Sequence, residues 1–457
     1  MMENKKLTEG SITGTLVKLA IPIMAPSFVQ MAYNMMDMIW LGRVSTNAVA
    51  AAGTAGFFIW FGSSLFMIPK IGAEVGIAHS LGKEDMDSAK KYVFHTIQFD
   101  VIVAIIYSLL LIAFRHRIIG FFDLGDTQVT NMAVDYLFII SIGLVFYFLN
   151  PVFSGIFNGS GDSTTPFKIN VVGLIMNMVL DPLMIMGIGP FPKMGIKGAA
   201  LATIIAQFTV TLIFIIIGKN KSSLFDDLNI FQAPDREYLK SIFRLGLPAS
   251  IQNGLFAIIA MVIAKIIAQW GSTPIAVQKV GSQIESISWM TAGGFSTAIS
   301  AFIGQNYGAG KWDRIREGYR KGLLIVGTIG IFATCLLIFG ANPIFRLFIP
   351  HDEEALKLGV TYLRILGLSQ FFMAIEIATQ GAFNGLGRTV PPSFIGILFN
   401  SLRIPASLIL SSTSLGLNGV WWSISISSIC KGVVLTIWYS LILRKSPKAD
   451  SESHNEL

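Results

Sequence analysis

The stretch Ile156-Phe157-Asn158-Gly159-Ser160-Gly161 is answered further along the same chain by Ala382-Phe383-Asn384-Gly385-Leu386-Gly387. Other echoes keep the same order. Met194-Gly195-Ile196-Lys197-Gly198 matches Leu415-Gly416-Leu417-Asn418-Gly419, and Asn177 with Pro182 matches Asn400 with Pro405. Pro22 pairs with Pro248, Gly76 with Gly304, and Gly82-Lys83 with Gly310-Lys311. A shift of about 225 residues thus lays one half of the chain on the other. Two related halves in a very apolar chain mark a transporter that alternates access by moving one half against the other.

The composition excludes an ordinary soluble domain. Of 457 residues, 53% are hydrophobic and 13% charged. Apolar runs long enough for a ~30 Å hydrocarbon core, at ~20 residues per helical crossing, follow one another along the chain. They fall at 17–42, 48–78, 92–114, 131–157, 166–188, 195–217, 242–270, 274–305, 319–341, 357–384, 391–411 and 416–442. Helices are required because lipid satisfies no backbone polar group, and the alternating pattern of an outer-membrane barrel is absent. The fold expected is an all-α integral membrane protein, with about twelve transmembrane helices in two pseudo-symmetric six-helix lobes. Its division is an N-terminal lobe at 1–217, a polar cytoplasmic linker at 218–241, a C-terminal lobe at 242–445 and a cytoplasmic tail at 446–457.

The first twenty residues lack the apolar core and cleavage site of a signal peptide, so the first span is expected to stay in the membrane. The net charge of +7 invites a nucleic-acid reading, but its distribution argues against one. Lys and Arg gather in alternate loops, such as Lys83, Lys90 and Lys91, or Lys311, Arg314, Arg316, Arg320 and Lys321. With the N-terminus inside, ~20 basic residues face the cytoplasm and ~9 face outward, which obeys the positive-inside rule. Both termini are then cytoplasmic and the protein is multi-pass in the cell membrane. Cys335 and Cys430 show no metal or disulfide spacing, and no phosphate-binding loop or zinc motif is present. No enzyme activity, cofactor or resident metal is expected.

Ionisable groups inside a bilayer cost ~2.5–3.5 kcal/mol each on insertion scales, so each needs a partner or a purpose. Gln30, Asn34 and Asp37 fall at i, i+4 and i+7 of the first span, on one helix face. Asn177 and Asp181 repeat the i, i+4 spacing on the fifth span, and Thr203 and Gln207 on the sixth. The second half places Phe256, Ala260 and Ile263 opposite the first trio, Ile404 opposite Asp181 and Ile424 opposite Thr203. These helices can therefore be built from apolar residues at those places. The bland account is a polar cluster that glues helices together, at ~1 kcal/mol or less per contact. For Asp37 and Asp181 a functional account is better, because two carboxylates in one dry pocket cannot both stay ionised cheaply. A carboxyl poised there takes a proton from one side and releases it on the other. Met31, Met35 and Met176 would line the adjoining cavity, which suits flat apolar cations. Lys265 and Glu376 are weaker candidates in the second half. Glu285 and Lys279 are expected towards the ends of the eighth span, and Arg403 and Lys431 acquire no role.

Over residues 10–445 the chain resembles the multidrug and toxic compound extrusion (MATE) transporters. The resemblance rests on Pro22, Gln30 and Asp37, Phe157-Asn158-Gly159 before Pro166, and Asn177-x-x-x-Asp181-Pro182. Gly195-x-x-Gly198-Ala199-Ala200-Leu201-Ala202-Thr203 and the echoes in the second half complete it. It implies a two-lobed, V-shaped bundle that exports drugs and organic cations in exchange for protons or sodium. In the prokaryotic branch that uses the first lobe, the coupling site maps to Asp37, Asn177, Asp181 and Thr203, with Gln30 nearby. A sodium ion, where sodium is the coupling ion, would be held by the same four residues. The seventh span has no acid, only Lys265, and Glu376 does not align with the acid of the second-lobe branch. The partners implied are small molecules, the coupling ion and the bilayer, with no nucleic acid and a monomeric chain. The alternative is a flippase for lipid-linked oligosaccharides, which would need more basic groups facing its cavity than this chain offers.

Overall fold

In the computed structural model, the described residues are 7–25, 27–28, 46–122, 126–221, 223–226, 233–348 and 352–447. They form helices and turns, with no strand among them. In chain order the helices are α1 (Ile12–Ala25), α2 (Thr46–Gly82), α3 (Met86–Gly120), α4 (Thr127–Ile142), α5 (Leu144–Gly159), α6 (Thr164–Met186) and α7 (Ile196–Lys221). A 3-10 turn at Ser223–Phe225 follows. The second series is α8 (Arg236–Ile267), α9 (Ser272–Gly308), α10 (Trp312–Phe339), α11 (Ala341–Phe348), α12 (Glu353–Gly367), α13 (Gln370–Gly385), α14 (Val390–Ser411) and α15 (Leu417–Lys445).

Eight of these helices are long and apolar enough to cross a membrane alone, and two bent pairs do so jointly. α1, described only in part, and α9, long but carrying Gln278, Lys279, Gln283 and Glu285, hold the first and eighth of the twelve places. The fourth and tenth spans, expected as single helices, are broken. α4 and α5 meet at 52° around Gly143, and α12 and α13 meet at 47° around Leu368-Ser369. At Gly143 a side chain is excluded, since its Cβ would lie 2.5 Å from the Ile204 side chain on α7. In the second break the Leu366 carbonyl, which loses its regular helical donor, accepts from the Ser369 amide at 3.1 Å and the Ser369 hydroxyl at 2.8 Å.

The repeated Asn-Gly motif has a packing cause. A Cβ on Gly155 or Gly159 of α5 would strike the backbone oxygens of Lys70 and Glu74 at 2.9 and 2.6 Å. In the second half Gly381 and Gly385 of α13 meet the oxygens of Ser296 and Ser300 at 2.2 and 2.7 Å. The same helix pair therefore packs backbone to backbone twice. These contacts also correct the register of two sequence matches. They pair Glu74 with Ser300, so Gly76 corresponds to Phe302 and Gly82 to Gly308, two residues away from the expected Gly304 and Gly310. The corrected pairing shows a swap of large and small: Gly76 receives the Tyr92 ring, whereas Phe302 fills the space over Gly318. The left-handed residue after the helix is Glu84 (φ 59°) in the first copy and Gly310 (φ 69°) in the second.

The chain packs as two units, and their limits differ from those expected from chain order. One unit contains Ala25–Ser250, and the other contains Leu7–Met24 together with Ile251–Leu457. Both crossings thus occur inside the first helix of a repeat, at corresponding positions. Neighbours explain the assignment. Ile242 of α8 sits over Gly72, and Gly246 over the Ile68 backbone, inside the first unit. In the second unit the Leu7 amide donates to Gln305 at 3.0 Å, and Arg314 donates to the carbonyls of Leu7, Glu9 and Gly10. Each unit has its own apolar core, one around Phe148, Phe153 and Phe214, the other around Phe302, Phe383 and Trp421.

Candidate coupling site

The candidate site is built on α6. Asp162 accepts from the amides of Thr164 and Thr165 at 3.1 and 3.2 Å and so fixes the helix start. Pro166 stands in the first turn, where a missing N–H costs nothing. Gly187, left-handed at φ 74°, ends the helix. A two-bond turn, Met194 N–H to Met184 and Gly195 N–H to Ile185, then brings α7 back beside α6.

On the inner face of α6, Asn177 and Asp181 are both buried, and the Asn177 amide donates to the Asp181 carboxylate at 2.9 Å. Pro182 follows and cannot donate to the Met178 carbonyl one turn back. A carboxylate, an amide oxygen and a freed carbonyl therefore lie within one turn of a buried helix. Oxygen-rich surroundings of this kind suit a proton or a hard monovalent cation. Thr203 of α7 is partly buried, its hydroxyl donating to the Ala199 carbonyl at 3.0 Å. Met176 is half-buried on α6. Gln30, Met31, Asn34, Met35 and Asp37 lie outside the described residues. Among the described residues no three His, Cys, Asp or Glu side chains gather into a metal site.

Gln207 proves structural. Its side-chain oxygen accepts from Asn150 Nδ2 at 2.6 Å, and Thr211 donates to Asn150 Oδ1 at 2.8 Å. This triad ties α5 to α7. The sequence offered the helix-gluing account of Gln207 but could not name its partner, because Asn150 lies on another helix.

The second unit holds a charge cluster that joins the weaker candidate Glu376 to Arg403 and Lys431, to which the sequence assigned no role. Lys431 of α15 pairs with Glu376 of α13 at 3.0 Å, with 8% and 6% of the two side chains exposed. Arg403 of α14 donates to Ser427 and Ser428 of α15 at 2.5 and 3.0 Å. Glu285, expected near a helix end, is instead buried within α9 and accepts from Gln370 Nε2 at 3.1 Å. Two acids and two bases from four helices thus share one interior. Mutual neutralisation is the physical reason each is tolerated there. Lys265, by contrast, is exposed in the last turn of α8.

Duplicated six-helix units with a buried acid on the fifth span define a class: multi-span helical membrane transporters. A family model, MatE, matches residues 22–183 and 248–409, one match in each half. The chain belongs to the MatE family. It is 29% identical to the probable multidrug resistance protein NorM of Thermotoga maritima, over 89% of this chain and 87% of that one. It is 23% identical to the FAD transporter of Shewanella oneidensis, over 95% of each. Among solved structures it is similar to an outward-facing multidrug resistance MATE transporter, with TM-score 0.89 and 23% identity over 98% of this chain and 99% of that chain. At that identity the likeness concerns the fold.

Proposed function

We propose that this chain is a multidrug exporter that drives amphipathic organic cations out of the cell in exchange for protons or sodium. The observation that carries this reading is the buried Asn177–Asp181 pair beside Pro182. A buried acid that accepts from a neutral amide can change its charge at modest cost to the fold, which a coupling group must do. In this reading Asp37 and Thr203 share the coupling with that pair, and Gln30, Asn34, Met31, Met35 and Met176 serve drug recognition. The names of curated relatives point the same way. The protein works as a monomer in the cell membrane, with both termini in the cytoplasm and no nucleic-acid partner.

A flippase for lipid-linked oligosaccharides is not favoured. Its pyrophosphate would need free basic groups, yet Lys431 is held by Glu376 and Arg403 by two serines. The deciding experiment uses purified protein in liposomes, a fluorescent cationic drug, and proton and sodium gradients imposed separately. One gradient is expected to drive drug accumulation, and Asp181→Asn is expected to abolish it. Accumulation that ignores both gradients sinks the proposal.

A further inference from the structure

Asp100 of α3 is fully buried, and neither of its carboxylate oxygens has a hydrogen-bond partner among the described residues. One turn earlier on the same helix face, the Thr96 hydroxyl is equally buried and also lacks a partner. The coupling site above uses neither residue. α2, α4, α5 and the 3-10 turn all pack against α3, and the start of α8 meets its first turns, where Tyr238 lies against the Tyr92 and His95 rings and Ser241 hydrogen-bonds Tyr92. From α2 come Lys70, Glu74 and His79, and the backbone at Lys70 and Glu74 lies against α5. α4 brings Tyr136 and Asp135, the latter partly exposed and paired with Lys197 at 2.9 Å. α5 offers only Tyr147, and the 3-10 turn has no titratable residue. On α3 itself the nearest titratable groups are Tyr92, His95 and Tyr107. Among the described residues no ion pair or hydrogen bond reaches the Asp100 carboxylate.

A carboxylate there has nothing among the described residues to balance its charge, whereas a neutral carboxyl needs only one acceptor for its O–H. α2 supplies one at the right level. Gly76 lies against Tyr92 and Gly62 against Tyr107, so the antiparallel register sets Asp100 level with Ile68 and Pro69. Pro69 has no N–H, and the Leu65 carbonyl is left without its ladder donor. A metal cation is a poorer occupant, because only Thr96 adds a side-chain oxygen on that face of α3.

We propose that Asp100 is a second proton-binding carboxyl of the first unit, neutral in this state with its O–H directed to the carbonyl freed at Pro69. During the cycle the carboxyl gives up that proton to water and recovers it, and no electrons move. Bending of α2 at Pro69 opens and closes the acceptor position, which links protonation to helix shape. The proposal rests on reading the chain as an ion-coupled exporter.

Infrared difference spectra of the purified full-length protein in lipid, recorded across a pH titration, test the proton directly. A protonated-carboxyl band at neutral pH is expected in the wild type. Asp100→Asn is expected to remove it, and Asp181→Asn to leave it in place. In efflux assays normalised to membrane abundance, Asp100→Asn is expected to lose most proton-driven export. If the band survives in Asp100→Asn, or that variant exports as the wild type does, the proposal is overturned. Should the Asn variant fail to reach the membrane, Asp100→Glu decides. Its band and its pH profile of efflux must both move, and unmoved values overturn the idea. Wild-type protein that exports nothing under a proton gradient refutes proton coupling, while the band still reports whether Asp100 holds a proton.

Discussion

Asp181 shows how one residue can stand out in the sequence while its surroundings stay hidden there. An acid in an apolar run announces a purpose, and its i, i+4 relation to Asn177 placed both on one face, as the 2.9 Å hydrogen bond between them bears out. Replacement by Asn keeps shape and hydrogen bonding but cannot exchange a proton. Asp37→Asn and Asp181→Asn are therefore expected to abolish gradient-driven efflux at normal membrane abundance. Efflux from cells measured beside an immunoblot checks this, and wild-type efflux from either variant would contradict it. If the same residues meet the drug as proposed, their charge gives binding a pH dependence. Ionised carboxylates attract a cationic dye and protonated ones do not, so dye affinity in detergent should weaken as pH falls through their titration. The weakening should vanish in the Asp37→Asn, Asp181→Asn double variant. Fluorescence titrations at several pH values read both outcomes.

Between elements, two kinds of contact carry predictions. Gly159 touches the Glu74 carbonyl so closely that a methyl group would sit 2.6 Å from it. Gly159→Ala must push α5 from α2 and is expected to cost about 1–3 kcal/mol, the range for overpacking a tight interface. A thermal-shift assay on the purified protein should show a lower melting temperature, and an unchanged value would refute the close approach. The Glu376–Lys431 pair is different in kind. Removing one partner leaves the other charged and buried, at about 3–5 kcal/mol, whereas removing both is far milder. Glu376→Gln and Lys431→Met should each destabilise strongly, and the double variant should recover much of the loss. Folded Glu376→Gln should still export better than Asp181→Asn, and the exposed Lys265→Met should behave like the wild type. Melting curves and efflux on the same preparations separate stability from transport.

At the scale of the whole molecule, the duplication is the organising fact. The two family matches begin at Pro22 and Pro248, and the breaks at Gly143 and Ser369 fall at corresponding places in the two copies. The twelve apolar runs and the duplication were readable because membrane crossing imposes length and hydrophobicity on every span, whatever its neighbours. Charge in the loops adds a topology prediction. With both termini inside, a cysteine placed at residue 83 or 311 should be shielded from an impermeant thiol reagent in intact cells and labelled after permeabilisation. Labelling in intact cells would invert the assignment. Cys335 and Cys430 would be replaced first, to give a clean background.

What the sequence by itself determined is the helical membrane class, the twofold repeat, the approximate spans and the shared face of Asn177 and Asp181 on the fifth span. Each follows from local pattern, since period, length and an ionisable group in an apolar run survive without knowledge of any neighbour. Only the tertiary structure decided which helix ends belong to which unit, where the fourth and tenth spans break, and in what register the repeats align. It alone showed that Gln207 is structural, that Glu285, Glu376, Arg403 and Lys431 share one interior, and that Asp100 stands without a partner among the described residues. Those are facts about which distant residues become neighbours. The chain states them only when α2 packs on α5, α9 on α13 and α14 on α15, because a buried charge is priced by whatever surrounds it in space.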